Sequence, residues 1–132
     1  MKNDLIVSPN GDKCWFINGQ LNREDGPAIE CTNGTKAWYI KGNNHRIDGP
    51  AYEFADGTKY WYINGLRHRV DGPALEYISG SKWWYQNGAL HRLDGPAIER
   101  TNESKYWYLY GEQVICKDNE EFLRIVKLKA FW

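Results

Sequence analysis

Hydrophobic and polar positions recur along most of this chain with a single period of 23 residues. Glycines hold the same position in four successive units, Gly11, Gly34, Gly57 and Gly80, and Glu103 takes that position one period later. Five units therefore cover residues 11–117, and the first and last depart furthest from the common pattern, as the capping units of repeat proteins do. Residues 1–10 predict an N-terminal capping strand.

Each unit predicts a β-hairpin. Residues 36–40 and their equivalents are aromatic and β-branched and are bounded by glycine, and a weaker strand covers residues 50–54. Turns are predicted between them because glycine supplies the positive φ of a tight turn. A three-residue loop between units places Glu30 opposite Lys36, and likewise Glu53 opposite Lys59 and Glu76 opposite Lys82, so this register is preferred. The fold class is therefore all-β, an antiparallel hairpin meander or solenoid of ten or eleven strands.

Alternation along the predicted strands separates two aromatic rows. One face carries Trp15, Trp38, Trp61, Trp84 and Trp107, and the other carries Tyr39, Tyr62, Tyr85 and Tyr108. One of these faces must be covered, because a single sheet with both faces exposed to water would bury too little apolar surface to be stable. We predict that the Trp row is the interior and that the Tyr row is available to a partner or ligand.

The pattern changes after Lys117 to helical spacing. A helix is predicted over residues 118–132, with Asp118 as its N-cap and two acidic residues in its first turn. Phe122, Ile125 and Leu128 form one apolar stripe along it. We expect this amphipathic helix to cover the exposed edge of the sheet. The alternative is a helix that binds a partner or a second copy of the chain.

Composition narrows the function classes. Lys+Arg and Asp+Glu both number 17, so the net charge is zero, which argues against binding to duplex nucleic acid or an anionic membrane. No apolar run is long enough to span a bilayer, and the first residues are too short for a secretory signal. Three cysteines without a CxxC pair favour free thiols and a cytoplasmic location.

A His-Arg pair recurs in three units and is followed two residues later by aspartate; the pairs are His45-Arg46, His68-Arg69 and His91-Arg92. Such a row has two interpretations: it presents guanidinium forks to phosphate or carboxylate groups, or it links neighbouring units. We favour the second for Arg and Asp. His is the better ligand candidate, because the first unit keeps Arg23 and Asp25 but has Asn22 in its place.

Catalysis and metal binding are not predicted. Histidines one unit apart lie about 10 Å from each other, too far to share a zinc ion. The chain also repeats the same groups instead of concentrating different ones at one place, unlike an active site. We therefore expect a non-enzymatic protein without a cofactor.

The unit Trp-Tyr-x-Asn-Gly-x-x-His-Arg-x-Asp-Gly-Pro-Ala-x-Glu over residues 11–111 resembles the repeat of proteins from bacteriophages and giant viruses. More distantly it is similar to membrane occupation and recognition nexus (MORN) repeats, which are also hairpins of this length. The viral resemblance implies a small accessory protein acting on a host component in the host cytoplasm, as in countering host defence.

Two functions remain open from the sequence. The first is a binding protein that inhibits a host protein through its aromatic repeat surface. The second is a module that sequesters a nucleotide-like small molecule between aromatic rings and His-Arg pairs. Self-association into a homo-oligomer is compatible with the first.

Overall fold

The computed structural model describes residues 3–130, which form eighteen short strands and one helix. The strands are β1 Asp4–Val7, β2 Lys13–Ile17, β3 Gln20–Leu21, β4 Ile29–Glu30, β5 Lys36–Ala37, β6 Tyr39–Ile40, β7 Asn43–Asn44, β8 Tyr52–Glu53, β9 Lys59–Tyr60, β10 Tyr62–Ile63, β11 Leu66–Arg67, β12 Leu75–Glu76, β13 Lys82–Trp83, β14 Tyr85–Gln86, β15 Ala89–Leu90, β16 Ile98–Glu99, β17 Lys105–Leu109 and β18 Glu112–Val114. The helix α1 is Asn119–Lys129. The predicted class, an all-β hairpin repeat with a C-terminal helix, is confirmed.

The strands form one long antiparallel sheet and a row of small hairpins. The sheet has the order β1-β2-β4-β5-β8-β9-β12-β13-β16-β17-β18, with β3 paired to β2. The separate hairpins are β6-β7, β10-β11 and β14-β15. We call them, together with the tips of β2-β3 and β17-β18, the hairpin row.

The prediction of one strand across residues 36–40 is wrong in detail, because the chain changes partners at Trp38. Its N–H donates to the Ala51 carbonyl at 2.7 Å, while its own carbonyl accepts from the His45 N–H at 3.0 Å. Strand β5 therefore pairs with neighbours in the long sheet, and β6 pairs with β7 in the hairpin row. An internal unit thus holds four strand segments instead of two.

The predicted register between units is confirmed. Glu30 lies opposite Lys36, Glu53 opposite Lys59 and Glu76 opposite Lys82, across three-residue loops whose glycines have positive φ. Lys and Glu alternate across nine strands as Lys13, Glu30, Lys36, Glu53, Lys59, Glu76, Lys82, Glu99 and Lys105. Each Glu nevertheless forms its ion pair with an arginine, and within residues 3–130 no lysine of this row lies within 4.0 Å of a carboxylate.

The opposite face of the long sheet carries the apolar row. It runs across the strands as Cys14, Ile29, Ala37, Tyr52, Tyr60, Leu75, Trp83, Ile98 and Tyr106. The most buried cluster on it consists of Ala74, Leu75 and Tyr85, with Tyr60 and Trp83 packed against them.

The prediction that the Trp row forms the interior holds only for Trp107. The other four members of that row are half-buried, while Tyr85 of the opposite row is only 7% exposed. The alternation of side chains predicted two opposite faces. Because the backbone changes its pairing strand at each Trp of the row, the ring does not face the core of the long sheet.

The long sheet ends in β1 on one side and in β18 on the other, and a different segment packs at each end. Where the sequence predicts a capping strand over residues 1–10, β1 pairs with β2 from Asp4↔Phe16 to Val7↔Lys13; residues 1 and 2 lie outside the described residues. At the C-terminus Phe122 of α1 is fully buried and lies 6.4 Å from the Trp107 ring. Residues 131 and 132 of the predicted helix also lie outside the described residues.

The start of α1 follows the sequence signals. Asp118 is the N-cap, and its Oδ1 accepts a hydrogen bond from the Glu121 N–H at 2.9 Å. Acidic side chains occupy the first turn and Lys127 and Lys129 the last, which suits the helix dipole. Among residues 3–130 no helix has the length and apolar character needed to cross a bilayer.

Candidate functional site: the Arg loops

The segment Asn/His-Arg-x-Asp-Gly-Pro adopts the same structure in four units, and we call each copy an Arg loop; the copies are residues 22–27, 45–50, 68–73 and 91–96. In every copy the arginine guanidinium lies over a tryptophan of the same unit, with Cζ 3.9 Å from the ring centroid. Such stacking is a cation–π contact. The Trp rings are therefore half-buried beneath arginine.

Hydrogen bonds hold the guanidinium in that position. In the third copy, Arg69 Nε donates to Asp71 at 3.1 Å, and Nη1 donates to the Pro73 carbonyl and to Glu76, each at 3.0 Å. The other three copies repeat these bonds with their own residues. The expectation that Arg and Asp side chains link neighbouring units is wrong, because every one of these contacts lies within a single unit.

The glycine of each Arg loop is explained by the guanidinium and not by turn geometry. None of Gly26, Gly49, Gly72 and Gly95 has a positive φ. A Cβ built on them would lie only 2.8–3.2 Å from the arginine Cζ. The guanidinium is therefore enclosed between the indole ring on one side and the glycine backbone on the other.

Histidine is the side chain that joins neighbouring units. His45 Nδ1 accepts from the Asn64 N–H at 3.0 Å, His68 Nδ1 from the Asn87 N–H at 2.9 Å, and His91 Nδ1 from the Tyr110 N–H at 2.9 Å. In the first unit Asn22 Oδ1 accepts from the Lys41 N–H at 2.7 Å. Asparagine thus supplies the same bond, which gives a structural reason for the absence of His there.

His91 is the most enclosed of the three. Its side chain is 3% exposed and stacks on the Tyr110 ring with centroids 4.1 Å apart. Because Nδ1 accepts a hydrogen bond, the ring is neutral with its proton on Nε2. Burial lowers the pKa of His91 below its ordinary value.

The Tyr row lies apart from the Arg loops. Tyr85 is buried in the core cluster, its hydroxyl accepts from Arg67 Nη1 at 3.4 Å, and burial raises its pKa. Tyr39, Tyr62 and Tyr108 are half-buried. None of the four lines the grooves between the first three Arg loops, so the sequence-predicted residues fall into two separate sets.

Sequence reasoning missed the residue between Arg and Asp. This position holds Ile47, Val70 and Leu93 in three of the loops, and their exposed fractions are 85%, 75% and 53%. The signal was an aliphatic residue recurring at one position of an otherwise polar loop. We call these three residues the aliphatic row.

Grooves of about 710 Å³ and 520 Å³ separate the first three Arg loops. Ile47 borders both grooves, while Trp38 and Trp61 line one each. Each groove therefore presents an aliphatic side chain, an indole ring and an arginine held in place by hydrogen bonds.

The chemistry of this face suits a protein surface better than a phosphate. Nε and Nη1 of each arginine are already engaged, so the guanidinium fork is not free for bidentate binding. In the second unit Lys36, Arg46, Asp48 and Glu53 sum to zero charge, which leaves no field to attract a polyanion. Within residues 3–130 no cluster of three metal-ligating side chains occurs.

Comparison with protein-family models, curated protein sequences and solved structures finds no match to this chain. The resemblance to viral repeat proteins therefore stays a prediction from the sequence. The functional argument rests on the geometry of the Arg loops and the aliphatic row.

Proposed function

We propose that this chain is a non-enzymatic binding protein that recognises a protein partner through the face formed by its Arg loops. The observation that carries the proposal is the aliphatic row, Ile47, Val70 and Leu93, whose exposed side chains stand on loops fixed by arginine stacking and hydrogen bonds. Trp and Arg beside them are the residues that dominate interface hot spots.

Rigidity of the loops favours tight binding. Ordering a flexible loop at an interface costs free energy, and a loop already fixed in the free protein avoids that cost. Each Arg loop is held by three hydrogen bonds from its arginine and by the indole beneath it. The row thus presents apolar side chains at intervals of about 10 Å, two strand spacings per unit.

The resemblance of the repeat to viral proteins supports a more specific proposal, namely that the partner is a host protein. If the chain acts as such viral proteins do, the partner is a host-cell protein, and this chain would inhibit it by occupying its surface. Zero net charge supports a protein target over a nucleic acid.

Affinity capture from a bacterial lysate with matched baits tests the proposal. The test bait carries Ile47→Ser, Val70→Ser and Leu93→Ser, and the control bait carries Ile78→Ser, an aliphatic residue outside the Arg loops that is 66% exposed. We expect a protein retained by the wild-type and control baits to fall at least about tenfold on the test bait, as for loss of a hot spot. Equal recovery on all three baits contradicts the proposal.

A thermal-shift screen with nucleotides tests the alternative from the sequence. Ligands that bind only the folded state raise its melting temperature. We expect no shift, and a rise of several degrees that is lost in Arg46→Ala would establish nucleotide sequestration instead.

A further inference from the structure

Neighbouring hairpins of the hairpin row bind each other through two backbone hydrogen bonds. At the junction of the third and fourth units the Gly88 N–H donates to the Arg67 carbonyl at 2.8 Å, and the Arg69 N–H donates to the Tyr85 carbonyl at 3.1 Å. The same pair recurs at all four internal junctions. Each hairpin therefore offers one acceptor and one donor to the unit that follows.

In the fifth unit these two groups have no hydrogen-bond partner among the residues that the structure describes. The positions one period after Leu90 and Arg92 are Gln113 and Ile115. Gln113 lies opposite Tyr108, as Leu90 lies opposite Tyr85, so its carbonyl faces outward. Within residues 3–130 no hydrogen bond reaches that carbonyl or the Ile115 N–H, and Ile115 is 82% exposed.

An apolar groove runs beside this open edge. Its volume is about 740 Å³, and its walls include Leu93, Leu109, Tyr110, Val114, Val126 and Ala130. The helix therefore covers Trp107 of the long sheet but leaves the outer edge of β18 accessible beside the groove.

We infer that this edge and groove bind an extended segment of a partner protein as an added β-strand, and that the segment carries the sequence Tyr-x-x-Gly. The chain itself identifies that chemistry, because the strand occupying this position at every internal junction has it: residues 39–42, 62–65, 85–88 and 108–111. Main-chain hydrogen bonds supply the affinity in strand addition, and side-chain pockets supply the selectivity.

A second copy of the chain is a poor occupant. Among residues 3–130 the hairpin β2-β3 has no repeat unit packed on its outer side, and β1 already pairs with β2 there at Asp4↔Phe16. Docking there would break a strand pairing of the capping segment. Of the aliphatic row, Leu93 alone borders this groove, and the inference rests on the Gln113 carbonyl and the Ile115 N–H, so its failure leaves the proposed function untouched.

The test uses a fluorescein-labelled peptide with the sequence of residues 83–91, Trp-Trp-Tyr-Gln-Asn-Gly-Ala-Leu-His, titrated with the full chain and followed by fluorescence anisotropy. Ile115→Pro removes the open N–H donor, and Ile115→Ala is the matched control that keeps it. We expect the control to bind like the wild type and the proline variant to bind at least about tenfold more weakly. A variant with Ile47→Ser and Val70→Ser, two Arg-loop residues that do not line this groove, should bind like the wild type.

If Ile115→Pro lowers the melting temperature, Val126→Asp serves as the second variant. It places a charge in the apolar groove and should weaken peptide binding. Absence of saturable binding to the wild type, or equal binding by both Ile115 variants, overturns the inference. Dimers that form without peptide and vanish in Ile115→Pro would assign the edge to a second copy. Binding only after removal of residues 131 and 132 would assign it to the chain's own end.

Discussion

Replacing the glycine of one Arg loop tests the account of that loop directly. In Gly72→Ala the new Cβ would lie 2.8 Å from Arg69 Cζ, far inside van der Waals contact. The guanidinium has no room to recede, because the Trp61 ring lies on its other side at 3.9 Å. The substitution must therefore displace Arg69 from its place on the indole.

The cost follows from the contacts that Arg69 would lose. Loss of a partly desolvated cation–π contact costs about 0.5–2 kcal/mol, the charged hydrogen bond to the Pro73 carbonyl about 1.5–3 kcal/mol, and the ion pair with exposed Asp71 at most about 1 kcal/mol. Partial recovery by water leaves an expected loss of about 2–4 kcal/mol. At 132 residues this lowers the melting temperature by roughly 7–14 °C.

A double-mutant cycle isolates the contact. Chemical unfolding would be measured for the wild type, Gly72→Ala, Arg69→Ala and the double variant. Once Arg69 is gone, alanine at position 72 meets no guanidinium and should be neutral or stabilising by up to about 1 kcal/mol. Gly72→Ala combined with Arg46→Ala of the neighbouring unit is the control and should be additive. Additivity of the Arg69 and Gly72 changes within about 0.5 kcal/mol would refute the enclosure of the guanidinium.

Three further predictions concern the joints, the turns and the helix. Because burial lowers the pKa of His91 below 6.5, the unfolded state takes up the proton first; the stability this residue contributes is complete above pH 6.5 and is lost as the pH falls through the lowered pKa. His91→Asn can accept the same backbone hydrogen bond as Asn22 but does not titrate. The melting temperature of this variant should therefore decrease less between pH 7 and 5 than that of the wild type, and an equal decrease contradicts the prediction. Lys41 has φ 49° at a turn position that holds asparagine in three other units. Lys41→Asn should stabilise the fold by about 0.5–1 kcal/mol in chemical unfolding, whereas Lys41→Gln should not. Phe122→Ala should cost about 3–5 kcal/mol and speed hydrogen exchange in α1, while loss of exposed Leu123 should do neither.

The register of the long sheet could be predicted because two local signals agree on it. A three-residue loop with a glycine at positive φ and the pairing of Glu30 with Lys36 both require the same alignment. The division of the strand at Trp38 carries no such signal. It depends on the Ala51 carbonyl and the His45 N–H, which only the tertiary structure brings to that residue.

The residues of the Arg loops were predicted, but their roles were harder to assign. Asp-Gly-Pro reads as a turn, and nothing local shows that the glycine makes space for a guanidinium. A ligand role was suggested for His because the first unit keeps Arg and Asp but has Asn22 at the His position, as if His were not needed for the fold. The sequence does not show that Asn22 accepts the same backbone hydrogen bond.

In the fifth unit the helix α1 replaces the missing arginine as the group that covers the tryptophan ring. Every Trp of the row needs a cover, and Ile115 stands where the fifth arginine would be. Phe122 packs against Trp107, and Asn119 Oδ1 accepts the indole N–H at 3.0 Å, which makes this ring the best buried of the row. A helix satisfies its own backbone hydrogen bonds and so cannot continue the ladder of the hairpin row. The helix that covers Trp107 therefore leaves the Gln113 carbonyl and the Ile115 N–H open, and the strand addition that we propose at this end follows from replacing the arginine cover by a helix.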